Sequence, residues 1–160
     1  MSQGNRSVEP LMALLGQAER ERDEVLAEMR RAQDAQQAAR TQAEQLLVYR
    51  ADYERRYREQ FSTHRGVEAL QTYQGFLARL AEAIAQQNRA VAFADTRVER
   101  IRVALCEQEM RVASVRKLLE RRMTELRLAS ERRDQKQTDE FATRAAWNRL
   151  ASAAALTPTA

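Results

Sequence analysis

With 160 residues, four Gly, two Pro, 31% charged and 6% aromatic side chains, the chain has too few turn formers for a loop-rich globule and too few rings for a thick core. Such a composition leaves a long helical protein that buries a narrow apolar seam, while a single cysteine, Cys106, excludes an internal disulfide or a multi-thiolate metal site. The net charge of +4 is local: residues 111–160 hold 11 Lys/Arg against 6 Asp/Glu, whereas residues 1–110 hold 16 against 17, so an electrostatic partner is expected at the C-terminal third.

The first residues lack the basic start and apolar block of a signal peptide, and no apolar run is long enough to span a membrane, so a cytoplasmic protein is expected. Helix 1 is predicted over about residues 8–60, with Ser7 as N-cap, Glu9 near the positive end and Pro10 in the first turn. Its apolar spacing is loose. The d positions are Leu11, Ala18, Val25, Ala32, Ala39, Leu46 and Tyr53, and the a positions are Leu15, Arg22, Met29, Gln36, Ala43, Arg50 and Tyr57. Polar residues at a fix register at some expense in stability. Asp52 with Arg56 and Glu54 with Arg58 are expected to pair along the helix.

Residues 61–67, Phe-Ser-Thr-His-Arg-Gly-Val, are the interior segment richest in helix breakers and are read as the turn, with Gly66 able to take a positive φ. His64, the one histidine, is read as a solvated loop residue because no second ligand or base accompanies it.

Helix 2, about residues 68–150, carries the stronger repeat. Every seventh residue from Leu70 is aliphatic: Leu77, Ile84, Val91, Val98, Leu105, Val112, Leu119 and Leu126 follow as a positions. Tyr73, Leu80, Gln87, Ala94, Ile101, Gln108, Val115, Arg122 and Ala129 lie three residues later as d positions. The fold class is therefore all-α: a long antiparallel two-helix coiled-coil hairpin, a single coiled-coil domain over residues 1–150. Residue i of helix 1 falls opposite roughly residue 127 minus i of helix 2. The paired part is on the order of 75 Å long, and an overhanging C-terminal helix from Arg127 to about Leu150 adds about 30 Å. Residues 151–160 are expected to be a disordered tail.

Nothing in the sequence supplies a catalytic pair, a phosphate-cradling glycine loop or a ligand set, so no enzyme activity, cofactor or metal is expected. Cys106 sits at a b position as an ordinary, partly exposed thiol. The basic clusters Arg116-Lys117, Arg121-Arg122 and Arg132-Arg133 alternate with Glu120, Glu125, Glu131 and Asp134, which reads as a solvated face and not as a nucleic-acid track. Tyr53 and Tyr57 fill the seam. Tyr49 and Phe76 do not: both are g positions, and antiparallel pairing sets them at one level on one side. Together with Gln42 and Ala83, also at g, they form a small apolar stripe that either shields the seam or receives a partner.

Leu46, Tyr49, Tyr53, Phe76, Leu80 and Ala83 stand within the text LLVYRADYERRYREQF and YQGFLARLAEAIAQQ, and Gln42 lies one helical turn before the first of these blocks. With ERERDE at Glu19–Glu24 and ERRDQKQTDEFATRAA at Glu131–Ala146, these blocks resemble the FliJ family of the bacterial flagellar export apparatus over most of the chain. The resemblance implies a stalk-like component of type III protein export whose partners are the hexameric flagellar export ATPase, the cytoplasmic domain of the export gate, and export chaperones. It implies a cytoplasmic protein peripherally associated with the inner membrane at the flagellar base. By position, Gln42, Leu46, Tyr49, Tyr53, Phe76, Leu80 and Ala83 become gate contacts, joined by Gln87, where some relatives carry histidine. Leu11, Leu14, Gln135, Lys136, Asp139 and Glu140 become ATPase contacts. The alternatives are the equivalent stalk protein of a virulence type III secretion system and a generic coiled-coil scaffold.

Overall fold

The computed structural model of the protein describes residues 2–61 and 66–155. Among the described residues there are two long α-helices packed against each other and no strand: α1 is Ser2–Phe61 and α2 is Val67–Ala155. By contact density the chain divides into two compact units, one of Ala18–Arg111 and one of Met1–Gln17 with Val112–Ala160.

Both helix bounds extend past the sequence expectation, for different reasons. α1 is already helical at Ser2, so Ser7 is inside the helix and does not cap it, and Pro10 is an interior residue that removes one ladder hydrogen bond. Val8, one heptad before Leu15, is only 8% exposed; packing of that seam residue outweighs the weak helix preference of its surroundings. α2 continues through residues 151–155 instead of fraying at 151, because Ala151, Ala153, Ala154 and Ala155 are the strongest helix formers available. The remainder of the expected tail, and the expected turn residues 62–65 with His64, lie outside the described residues.

Gly66 is non-helical, but no described glycine has a positive φ. Its carbonyl accepts a hydrogen bond from the Ala69 amide at 3.1 Å, which makes Gly66 the residue that starts α2 and not a left-handed turn residue.

Burial follows the seven-residue pattern closely. In the unit Ala18–Arg111 the buried apolar residues are Ala18, Met29, Ala32, Leu80 and Ile84, each an a or d position. In the other unit they are Val8, Val112 and Val115, again on the repeat. Three seam positions depart from the pattern: Arg50 and Arg122 are exposed, their guanidinium groups reaching Glu54 and Glu125 on their own helices, and Leu70, close to the start of α2, is also exposed.

Contacts between the helices in the unit Ala18–Arg111 have a consistent order. Glu21 pairs with Arg111, Gln36 with Asp95, Gln42 with Gln87, Tyr49 with Phe76 and Tyr57 with Tyr73, so partners on α2 fall in number as those on α1 rise. The polar seam residue Gln36 donates from Nε2 to Asp95 Oδ1 at 2.6 Å, and Arg40 Nη2 donates to the same oxygen at 2.9 Å. Gln87, a d residue, donates from Nε2 to the Ala39 carbonyl at 2.8 Å and to Gln42 Oε1 at 3.3 Å. These directional bonds tie particular levels of one helix to particular levels of the other, which a uniformly aliphatic seam does not do.

Ion pairs along α1 differ from the expected ones. Glu54 receives Arg50 Nε at 2.9 Å and Asp52 receives Arg55 at 3.2 Å, while Arg58 donates to the Glu54 backbone carbonyl at 3.4 Å. Glu54 has Arg50 and Arg58 four residues away on either side, and Asp52 has Arg55 and Arg56 three and four residues on, so spacing alone does not choose the partner, and each exposed pair contributes only a few tenths of a kcal/mol.

Two stability effects follow. Gln108 is a d residue whose Oε1 is buried without a hydrogen-bond partner among the described residues. Gln108→Leu keeps the volume and removes the unmet acceptor, so it should stabilise the protein by roughly 1–2 kcal/mol, read as a higher midpoint in thermal unfolding. The Asp95 carboxyl is held below its ordinary range by the hydrogen bond from Gln36, against desolvation, with further help from the Arg40 hydrogen bond and charge. A lowered folded-state pKa stabilises the protein above the unfolded value of about 3.9 and ceases to do so as pH falls through the folded value. Thermal stability should therefore decline below about pH 4, and Asp95→Asn should make that decline shallower.

Candidate functional site: an aromatic cluster shared by both helices

The unit Ala18–Arg111 places five aromatic rings in one cluster. Tyr49, Tyr53 and Tyr57 come from successive levels of α1, four residues apart, and Tyr73 and Phe76 come from α2. Four-residue spacing puts the three tyrosines along one side of a helix, as helical geometry requires. Tyr57 and Tyr73 stack nearly parallel with centroids 3.4 Å apart, and Tyr53 stacks on Tyr73 at 5.6 Å. Phe76 lies tilted against Tyr53 at 4.2 Å. Tyr49 meets Phe76 edge-on, with centroids 6.1 Å apart and ring planes 72° from parallel.

The edge-on contact joins two g residues at the level expected for them. It is one of the favoured arrangements of aromatic quadrupoles and adds about 0.5–1.5 kcal/mol beyond area burial. The stack of Tyr57 on Tyr73 is not evident in the sequence: Tyr57 reads there as seam filler, Tyr73 only as a d position, and the expected level of Tyr57 is near residue 70. Burial pushes the Tyr57 phenol above its usual range, reinforced by the neighbouring Tyr73 and Tyr53.

The candidate residues differ in what they offer a partner. Tyr49 is 52% exposed, and Gln42 is also exposed. Leu46, Tyr53, Phe76, Ala83 and Gln87 are half-buried, and Gln87 is already committed to Ala39 and Gln42. Leu80 is 6% exposed, a d residue that supports the surface from beneath instead of forming it. A hollow of about 310 Å³ opens beside the rings, lined by Tyr49, Asp52, Tyr53, Arg56, Tyr57 and Gln60. The surface therefore combines an aromatic centre with a polar rim, the anatomy of a protein contact.

The second candidate group lies in the other unit. Leu11 is half-buried and Leu14 exposed on α1, while Gln135, Lys136, Asp139 and Glu140 are all exposed on α2. Gln135 Nε2 donates to Asp139 Oδ1 at 3.1 Å within the helix. Every residue from Ser130 to Arg144 is exposed. Cys106 is an exposed free thiol. None of the described helices is long and apolar enough to cross a membrane.

Neither a curated protein nor a solved structure matches the chain. A family model described as flagellar FliJ protein matches residues 7–151. That match spans both ring-bearing helices and nearly the whole length, and the chain belongs to the flagellar FliJ protein family.

Proposed function

We propose that this component of flagellar protein export links two machines, meeting the cytoplasmic domain of the export gate with its aromatic cluster and the hexameric export ATPase with its other unit. The observation that carries the reading is Tyr49, half exposed yet held edge-on against Phe76 by a continuous chain of ring contacts. A rigid, accessible ring at the centre of a polar rim is the kind of residue that dominates protein binding.

The link works as an antiparallel coiled coil with an overhanging C-terminal helix. The descending order of partners from Glu21–Arg111 to Tyr57–Tyr73 supports the pairing, and the exposure of Ser130–Arg144 supports the overhang. Gate contact uses Tyr49, Gln42 and the accessible parts of Leu46, Tyr53, Phe76, Ala83 and Gln87, with Leu80 beneath them. ATPase contact uses Leu11, Leu14, Gln135, Lys136, Asp139 and Glu140. The same protein assists the traffic of export chaperones, and it acts in the cytoplasm at the inner-membrane face of the flagellar base, where the gate and ATPase are both reached.

The two contacts should be separable. Purified gate domain and export ATPase are each immobilised and offered the full chain. Asp139→Lys with Glu140→Lys should lower ATPase retention by about tenfold, equivalent to about 1.4 kcal/mol, while gate retention is unchanged. Equal loss on both supports, or loss on neither, counts against two separate contacts.

A further inference from the structure

α2 carries a second surface, separate from the ring cluster. Arg89, Phe93, Arg97 and Arg100 follow one another at intervals of four, four and three residues, which at 100° per residue confines them to an arc of about 80° on one face. All four are exposed, and Phe93 is 70% exposed, more than Tyr49. Ala92, Phe93, Thr96, Arg97 and Arg100 line a common hollow of about 500 Å³.

The three guanidinium groups are uncommitted. The neighbouring carboxylates are taken by other partners: Asp95 by Gln36 and Arg40, and Glu99 by Arg102. Among the described residues Arg89, Arg97 and Arg100 make no ion pair. On the same face the stripe is bounded by Glu82 on one side and Glu107 on the other, so the positive charge is a short block with acidic ends.

We propose that this stripe docks an acidic helical segment of a partner protein, with an apolar side chain of that segment seated against Phe93 and its carboxylates on Arg89, Arg97 and Arg100. Guanidinium forks match carboxylates in pairs, and an exposed aromatic among them supplies the apolar anchor that ionic contacts alone lack. A nucleic acid fits less well. Residues 18–111 carry 16 Lys/Arg and 16 Asp/Glu, and the acidic ends of the stripe repel a continuous phosphate backbone, whereas a short acidic helix ends where the stripe ends. The inference stands apart from the gate and ATPase contacts and uses none of their residues.

The test titrates the full chain into a labelled Ala/Gln-based helical peptide about five turns long, carrying Glu at i, i+4 and i+7 around one Leu, and into the same peptide with Gln for Glu. The Glu peptide should bind at least about tenfold more tightly, and the preference should shrink with added salt. Phe93→Ala, and separately Arg97→Glu with Arg100→Glu, should each weaken binding by about tenfold, while Phe141→Ala binds as wild type. Because all of these positions are exposed on a helix, circular dichroism should report unchanged helicity. Equal binding of the two peptides, full binding by Phe93→Ala, or stronger competition by a single-stranded oligonucleotide or phosphatidylserine vesicles would overturn the proposal.

Discussion

Tyr49→Ala combined with Phe76→Ala should weaken binding of the export-gate cytoplasmic domain by thirtyfold or more, equivalent to about 2 kcal/mol, measured by titration calorimetry. The size of the effect follows from how Tyr49 is held. Its ring contacts Phe76, Phe76 contacts Tyr53, and Tyr53 stacks on Tyr73, so little side-chain freedom remains to be lost on binding. Tyr49→Ala alone removes the exposed anchor. Phe76→Ala alone removes the wall behind it, so Tyr49 keeps its area but loses its orientation. The two losses overlap because the residues touch, and their sum should exceed the effect of the double substitution. Helicity should be unchanged, since alanine favours helix at both positions. Wild-type affinity in a fully helical double variant would remove the cluster from gate binding.

Ile84→Asp should have the largest effect on stability. Ile84 is 8% exposed at an a position in the unit Ala18–Arg111, and the buried residues of that unit form a single row and not a layered core. A carboxylate there forfeits roughly 1.5–3 kcal/mol of apolar burial and must also be desolvated or protonated without a partner. The total loss should be on the order of 3–5 kcal/mol, a large share of the stability of a small domain. Thermal unfolding followed by circular dichroism should show a markedly lower or vanished cooperative transition, and gate binding should fail with it because the ring cluster spans both helices. Glu140→Ala, on an exposed face, should leave the transition where it is.

Much of this architecture was legible because a seven-residue repeat states directly which side of a helix is covered. The aliphatic series from Leu77 to Leu126 and the looser series from Leu11 to Tyr57 name residues that are buried or half-buried, with Arg50 the exposed exception in the first helix. The meeting of Tyr49 with Phe76 was legible as well, since it depends on only heptad phase and relative level. The misread features are ones that phase does not encode. Capping rules placed a helix start at Ser7, but burial of Val8 holds the preceding residues helical. Breaker statistics suggested a positive φ at Gly66, yet that residue serves at the start of α2 with ordinary backbone geometry.

Site residues show the same division. The family likeness groups Leu80 with its neighbours, while its d position places it in the seam, where it is only 6% exposed. Ion pairs along α1 were open because arginine is abundant there and each carboxylate has several partners within reach. The basic stripe around Phe93 is not encoded in the repeat, which marks covered positions, whereas Phe93 is uncovered and stands beside arginines that make no ion pair among the described residues.

The shared ring cluster is the surface proposed to meet the gate. Two-dimensional NMR of the full chain with labelled tyrosine, phenylalanine and tryptophan rings, recorded while the gate cytoplasmic domain is added, tests this most directly. Signals of Tyr49 and Phe76 should shift or broaden at substoichiometric gate domain, while Trp147, exposed in the other unit, stays in place. Movement of the Trp147 signal with Tyr49 and Phe76 unaffected would contradict the account.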